Sequence, residues 1–246
     1  MKSVLSDIEG GIGRVTLNRP DRMNAINVAL AHALESAIDQ LGDRQDVNVI
    51  VIRGAGGNFC AGGDFDEVQR LRAEGSAELR TLFTSFKAAC EAITRAKVPV
   101  VAAIEGVAMA GGFELMQAAD LVLVADEARI ADNHINFGMI PGGGSTARLP
   151  RLLGRQQALG LLLSGDKITG SAAVQLGLAY RGFPAETFDE SVETFLAKLA
   201  GRDRSALTTI KRLVIDGLNK DFDIANSDET DAVVWRIGGQ AGQARG

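Results

Sequence analysis

Two short turns carry the residues best suited to chemistry: Asn58-Phe59-Cys60-Ala61-Gly62-Gly63-Asp64-Phe65 and Ala108-Met109-Ala110-Gly111-Gly112-Phe113-Glu114-Leu115. Each follows an apolar run that reads as a strand, and the second opens straight into a helical pattern. Paired glycine turns can aim two backbone N–H groups at one point. A developing oxyanion requires that arrangement, and one such donor supplies about 2.7–4 kcal/mol in the transition state. Glu114 stands one helical turn past Gly111, so its carboxylate reaches the same pocket. Its setting between Phe113 and Leu115 predicts a partly desolvated carboxyl with a raised pKa, useful for proton transfer near neutral pH. The plainer role for a glutamate there is to face the positive end of the helix dipole.

Strands must precede these turns and helices must follow them. Val4–Ile8, the Gly10-Gly11 turn and Ile12–Leu17 read as a hairpin. Asn27 is placed to cap a helix from Val28 to Leu41, whose Leu30, Leu34, Ile38 and Leu41 share one face. Val47–Arg53 is a β-branched run that reads as a buried strand. Ala77–Ile93 has helical spacing through Leu79, Leu82, Phe83, Phe86, Cys90 and Ile93. Val98–Ile104 reads as a strand, with Pro99 at its start or on an edge because proline supplies no ladder donor. Glu114–Ala118 forms a short helix, Leu121–Val124 a strand, and Arg129–Ile130 a further short piece. This alternation predicts an α/β fold with right-handed crossovers and a parallel sheet. A doubly wound nucleotide fold shares the alternation, but neither its Gly-x-Gly-x-x-Gly fingerprint nor a Gly-Lys phosphate loop occurs.

Beyond Thr187 the pattern turns helical over Ser191–Ala200, Ser205–Leu218 and Asp221–Trp235. These segments carry Phe188, Val192, Phe195, Leu196 and Leu199, then Ile210, Leu213, Val214 and Leu218. That is more apolar surface than a thin appendage buries alone, which predicts assembly with further copies. The tail from Gly238 to Gly246 has nothing to bury and is expected to be mobile.

At 246 residues the chain fits one substantial domain or a domain with a helical appendage. A net charge of −5 argues against nonspecific nucleic-acid binding. No signal peptide is expected at the N-terminus, and no apolar stretch reaches the roughly 18 residues of a membrane span. Cytosol is therefore the expected compartment. Cys60 and Cys90 form neither a disulfide framework nor a metal-ligand spacing. Cys60 reads as a small apolar filler in preference to a nucleophile, and Cys90 as packing.

The two turns resemble those of the crotonase (enoyl-CoA hydratase/isomerase) superfamily, and the resemblance runs over most of the chain. It begins at Leu17-Asn18-Arg19-Pro20-Asp21-Arg22-Met23-Asn24-Ala25 and continues through both turns to Phe137-Gly138-Met139-Ile140-Pro141-Gly142-Gly143-Gly144. Arg148–Gly154 and Ala173–Ala179 extend it. The resemblance implies a spiral of ββα turns over residues 1–186 and a helical assembly unit over 187–246, forming a homotrimer or hexamer. It implies that Gly63 and Gly111 hold the thioester oxygen of an acyl-CoA. Ala61, Asp64 and Phe65 would flank the coenzyme A path, Asp64 through its backbone because its side chain suits an N-cap. Arg22 would lie near the coenzyme A phosphates, or be merely solvated. Lys211 could approach a neighbouring subunit's ligand, although the reading without a ligand carries more weight. Coenzyme A enters as part of the substrate, and no metal, redox cofactor or membrane partner is implied.

Glu114 matches one of the two glutamates that hydratases of this superfamily use to handle water. The position of the second holds His134, with Asp132 the nearest acid. Histidine can give or take a proton near its ordinary pKa of about 6.5; alternatively it satisfies local backbone groups. His32 is expected on a helix surface. The histidine weakens the double-bond isomerase reading, which depends chiefly on the missing carboxylate. The expectation is an acyl-CoA hydratase or lyase working through Glu114 and His134. The alternatives are an acyl-CoA or carbon–carbon bond hydrolase on the same scaffold, and an impaired paralogue that only binds acyl-CoA.

Overall fold

Nine strands in two sheets carry the turns in the computed structural model, which describes residues 2–243. The strands are β1 (Val4–Glu9), β2 (Ile12–Leu17), β3 (Val49–Gly54), β4 (Val100–Ile104), β5 (Val107–Met109), β6 (Leu121–Ala125), β7 (Arg129–Ala131), β8 (Ile168–Thr169) and β9 (Arg181–Phe183). The larger sheet runs β1-β2-β3-β4-β6-β9 and the smaller β5-β7-β8. Only the β1–β2 hairpin and the β7–β8 pair are antiparallel. In β3 and β4 every residue from Val49 to Ile52 and from Val100 to Ile104 is buried, as expected of parallel strands covered on both faces.

Among the described residues ten α-helices accompany these sheets: α1 (Val28–Asp43), α2 (Phe65–Glu74), α3 (Ser76–Arg95), α4 (Gly111–Ala118), α5 (Ser145–Leu153), α6 (Arg155–Ser164), α7 (Gly170–Leu176), α8 (Phe188–Ala200), α9 (Arg204–Gly217) and α10 (Phe222–Gln243). The Asn27 side chain accepts from Leu30 N–H to start α1, and Leu30, Leu34, Ile38 and Leu41 are its buried stripe. Successive turns of chain then repeat one plan. A strand joins the large sheet, a short piece joins the small layer, and a helix returns: β3, Cys60, α2–α3; then β4, β5, α4. Cys60 pairs in parallel with Ala108 of β5, so the two glycine turns are set side by side in that small layer.

The first helix past residue 187 packs against the sheet. Phe188, Val192 and Leu196 of α8 are buried in the same core as the sheet, with Phe195 and Leu199 packed against it. Those five residues are therefore spent within one chain. The apolar face left exposed lies farther along, at Ile210 and Val214 of α9, at Leu218 just past its end, and at Phe222, Val234 and Trp235 of α10. Lys211 anchors α9 to the core. Its ammonium sits 2.7 Å from Asp120 Oδ2 and donates to the carbonyls of Ile93 and Val98. A lysine so engaged within its own subunit is a structural tether. The tail expected from Gly238 onward continues α10 to Gln243; residues 244–246 lie outside the described residues. No described helix is long and apolar enough to cross a membrane.

Candidate active site

The first turn is held from two sides. Cys60 N–H donates to Val107 C=O and its own carbonyl accepts from Met109 N–H, while Gly62 C=O and Asp64 N–H bond Ile26. That pairing leaves Gly63 N–H without a hydrogen-bond partner among the described residues. The second turn is strained. Ala110 sits at φ 47° and ψ −115°, a conformation that glycine ordinarily takes, and its N–H is fixed on Ala131 C=O. This setting rotates the next peptide, so Gly111 begins α4 with an N–H that has no partner in the helix or elsewhere among the described residues. The turns touch: a methyl group added at Gly62 would lie 2.9 Å from Ala110 Cβ and 3.4 Å from Gly111 N.

Glu114 follows in the first turn of α4 and is only 2% exposed. Its Oε1 accepts from Gly143 N–H at 2.7 Å and Ser145 N–H at 3.1 Å. The loop supplying them is braced by Arg148, which donates to Gly143 C=O, and by Gln117, which donates to Ser145 Oγ. Oε2 is thus the free oxygen, and it lies 3.8 Å from His134 Nε2. Burial raises the Glu114 pKa; the Ser145 N–H, the His134 charge and the Gly143 N–H oppose it without cancelling it. For His134, burial acts to lower the pKa, but the hydrogen bond and charge of Asp132, with the charge of Glu114, outweigh it and raise the value. Asp132 Oδ1 meets His134 Nδ1 at 2.6 Å.

Two unspent N–H groups beside a buried carboxylate and an imidazole with raised proton affinity can stabilise negative charge while two protons move. These residues come from three separate segments: Gly63 from the first turn, which touches the start of α4, Gly111 and Glu114 from α4 itself, and His134 from the segment after β7, within 3.8 Å of Glu114. The other expected residues divide. Arg22 is exposed and paired with Asp66 at 2.8 Å, and Phe65, next to Asp66 in sequence, is exposed as well. Ala61 packs against Val107, Met109 and Ala131, beneath the turns. The backbone contact expected of Asp64 has no free donor, because its N–H is given to Ile26 and its carbonyl accepts from Val68 N–H. Its carboxylate caps α2 through Asp66 and Glu67 N–H and pairs with Arg19 at 2.6 Å. Burial acts to raise that carboxyl's pKa, but the Arg19 hydrogen bond leads the effects that hold it below the usual range.

Cys60 is fully buried, and burial pushes its thiol up to about 12, so it is a filler in place of a nucleophile. His32 is exposed on α1 and meets Ser85 Oγ at 3.2 Å. Among the described residues no group of three or more His, Cys, Asp or Glu is arranged to hold a metal ion. Asp132, Gly143 and Ser145 were not candidates from sequence. Asp132 left one signal, its place at the end of a short strand close before His134.

Known proteins share this architecture. The model of the family described as enoyl-CoA hydratase/isomerase matches residues 7–232. A probable enoyl-CoA hydratase of Rhodobacter capsulatus is 32% identical over 213 residues, covering 87% of this chain and 81% of its own. A crotonyl-CoA hydratase of Syntrophomonas wolfei is 30% identical, covering 94% and 88%. The crystal structure of an enoyl-CoA hydratase from Polaromonas sp. JS666 superposes with a TM-score of 0.91 at 28% identity, covering 98% of this chain and 95% of that one.

Proposed function

The chain belongs to the enoyl-CoA hydratase/isomerase family of the crotonase superfamily, and from that premise we propose that it adds water across the double bond of an α,β-unsaturated acyl-CoA. The thioester oxygen accepts from Gly63 and Gly111 N–H. Glu114 Oε2 takes a proton from water as its oxygen bonds to the β-carbon, and the electron pair of the double bond moves toward the thioester as an enolate. His134 Nε2–H then gives a proton to the α-carbon, and the proton held by Glu114 returns to His134 Nε2 before the next turnover, so that the elements of water are added with no other reactant. Coenzyme A is present only as the carrier of the acyl group, and its path passes Ala61 with Arg22 and Phe65 at the rim.

The observation that carries this reading is the 3.8 Å gap between Glu114 Oε2 and His134 Nε2 beside the two free N–H groups. The gap is too long for a direct hydrogen bond, and a water set to one side of it can lie within hydrogen-bond distance of both atoms. The test is a panel of enoyl-CoA thioesters followed for loss of enoyl absorbance and for release of free coenzyme A. Loss of absorbance without release is expected. Release of coenzyme A with any acyl-CoA would favour the hydrolase, and binding without either would favour the impaired paralogue.

We also assign the chain to a homotrimer or a pair of trimers. The exposed apolar face of α9 and α10 supports it, since a surface of this kind marks an interaction site. Light scattering at micromolar concentration should report three or six copies; a monomer would refute the assignment.

A further inference from the structure

We infer that Asp132 is a positioning residue for the proton transfer, holding the imidazole of His134 so that its Nε2 faces the free oxygen of Glu114. The inference rests on the hydration reading for its consequence in turnover, but its geometric content stands separately. Asp132 directly follows Ala131, whose carbonyl accepts the Ala110 N–H. The same pair of segments therefore fixes the Gly111 peptide and the Asp132 backbone. The side chain is 1% exposed, and its only hydrogen-bond partner among the described residues is His134 Nδ1, at 2.6 Å. Its other oxygen, Oδ2, is buried with no partner among the described residues.

The contrast with Asp64 gives that isolation its meaning. Asp64 is buried too, but both of its oxygens are used by the fold, one on two backbone N–H groups and one on Arg19. Among the described residues Asp132 braces no backbone group and meets no arginine or lysine. A buried carboxylate is costly unless it is paired, and here the imidazole is its sole compensation. An ionised carboxylate only accepts hydrogen bonds, so Nδ1 must carry the proton of this contact. Nε2 is then the atom that gains and loses a proton, and among the described residues the other charge acting on the ring is that of Glu114, whose Oε2 lies 3.8 Å from Nε2. Without Asp132 either ring nitrogen could bear the hydrogen of the neutral form. The ring would then be free to present Nε2 in the wrong state or to turn it away.

The chain has two histidines, so nitrogen NMR of histidine-labelled protein sees two rings, and His32→Gln assigns them. In the unaltered protein, His134 Nδ1 should stay protonated across the titration while Nε2 titrates. In Asp132→Asn the titration should fall by about 1–3 pH units, the usual effect of an opposite charge at contact distance. The alkaline limb of the kcat profile should fall with it. Turnover should drop by about 10²-fold or more, with KM changed little because Asp132 touches no substrate. An unprotonated Nδ1 in the unaltered protein overturns the inference, and so does an Asp132→Asn variant with an unchanged ring titration. If that variant fails to fold, the spectrum of the unaltered protein decides alone. Should no enoyl-CoA be hydrated at all, the hydration reading falls while the ring spectra still decide the role of Asp132.

Discussion

Exchange of Glu114 for glutamine is expected to lower enoyl-CoA turnover by at least about 10²-fold, the low end for loss of an acid–base group, while making the fold more resistant to heat. Glutamine keeps the shape and an oxygen for the Gly143 and Ser145 N–H groups, but it has no basic oxygen at the Oε2 position. The sign of the stability change follows from the raised pKa of the buried carboxyl. A group whose pKa is higher folded than unfolded contributes its full stability below the unfolded value, about 4.3 for glutamate. That contribution is lost as pH rises through the folded value. At neutral pH the folded chain therefore bears the penalty of a poorly solvated charge, and glutamine removes it. Thermal unfolding at pH 7 should shift upward by about 2–4 °C for each kcal/mol recovered, and the gain should vanish below pH 4. A variant that loses stability along with activity would make Glu114 part of the framework. With the unaltered protein, the rate should rise as Glu114 deprotonates, above the usual carboxylate range. It should fall again as His134 deprotonates, above about 6.5. Both limbs belong to the coupled pair rather than to one residue.

Proline at Gly63 should cost about 10²–10³ in turnover, because it deletes one N–H from the thioester site. Alanine at the same position is the control. A methyl group there would meet only Val68 Cγ2, at 3.9 Å, so Gly63→Ala keeps the donor and adds no clash. Gly111 offers no such clean comparison, since a methyl group would lie 2.9 Å from Ile26 Cδ1. The pair of variants at 63 therefore separates loss of the N–H from loss of space. Turnover retained in Gly63→Ala and lost in Gly63→Pro, with both variants folded by circular dichroism, is the expected result. Equal activity in the two would remove Gly63 N–H from the chemistry.

Elements with a repeated apolar pattern are legible in the sequence. The Val4–Leu17 hairpin, the stripe of α1, the buried runs of β3 and β4, and the long α3 all declare themselves because many residues report one periodicity. Other elements bury too little to leave a pattern. Leu71 is the only buried residue of α2 and Ala158 the only one of α6, and β5 and β8 are too short to show an alternation. The part played by α8 is illegible for the opposite reason. An amphipathic helix looks the same whether its apolar face meets its own sheet, as α8 does, or is left exposed, as in α9.

By itself the sequence determined the family resemblance and the local chemistry of each segment. Gly63 and Gly111 stand in turns, Glu114 stands one helical turn beyond the second, and His134 stands where a second glutamate is usual. Those features depend on residue type and near neighbours, which a linear pattern records. Tertiary structure alone decided how each group is used. Glu114 Oε1 is occupied by N–H groups 29 and 31 residues away, which leaves Oε2 as the free oxygen. Cys60 lies in a turn that invites a nucleophile, yet the parallel pairing with β5 buries it. Asp64 and Asp132 are both buried aspartates, but one is claimed by a helix start and Arg19 and the other by an imidazole alone. Hydrogen-bond partners and desolvation are set by which distant segments the fold brings into contact, so they emerge only when the spiral closes around the site.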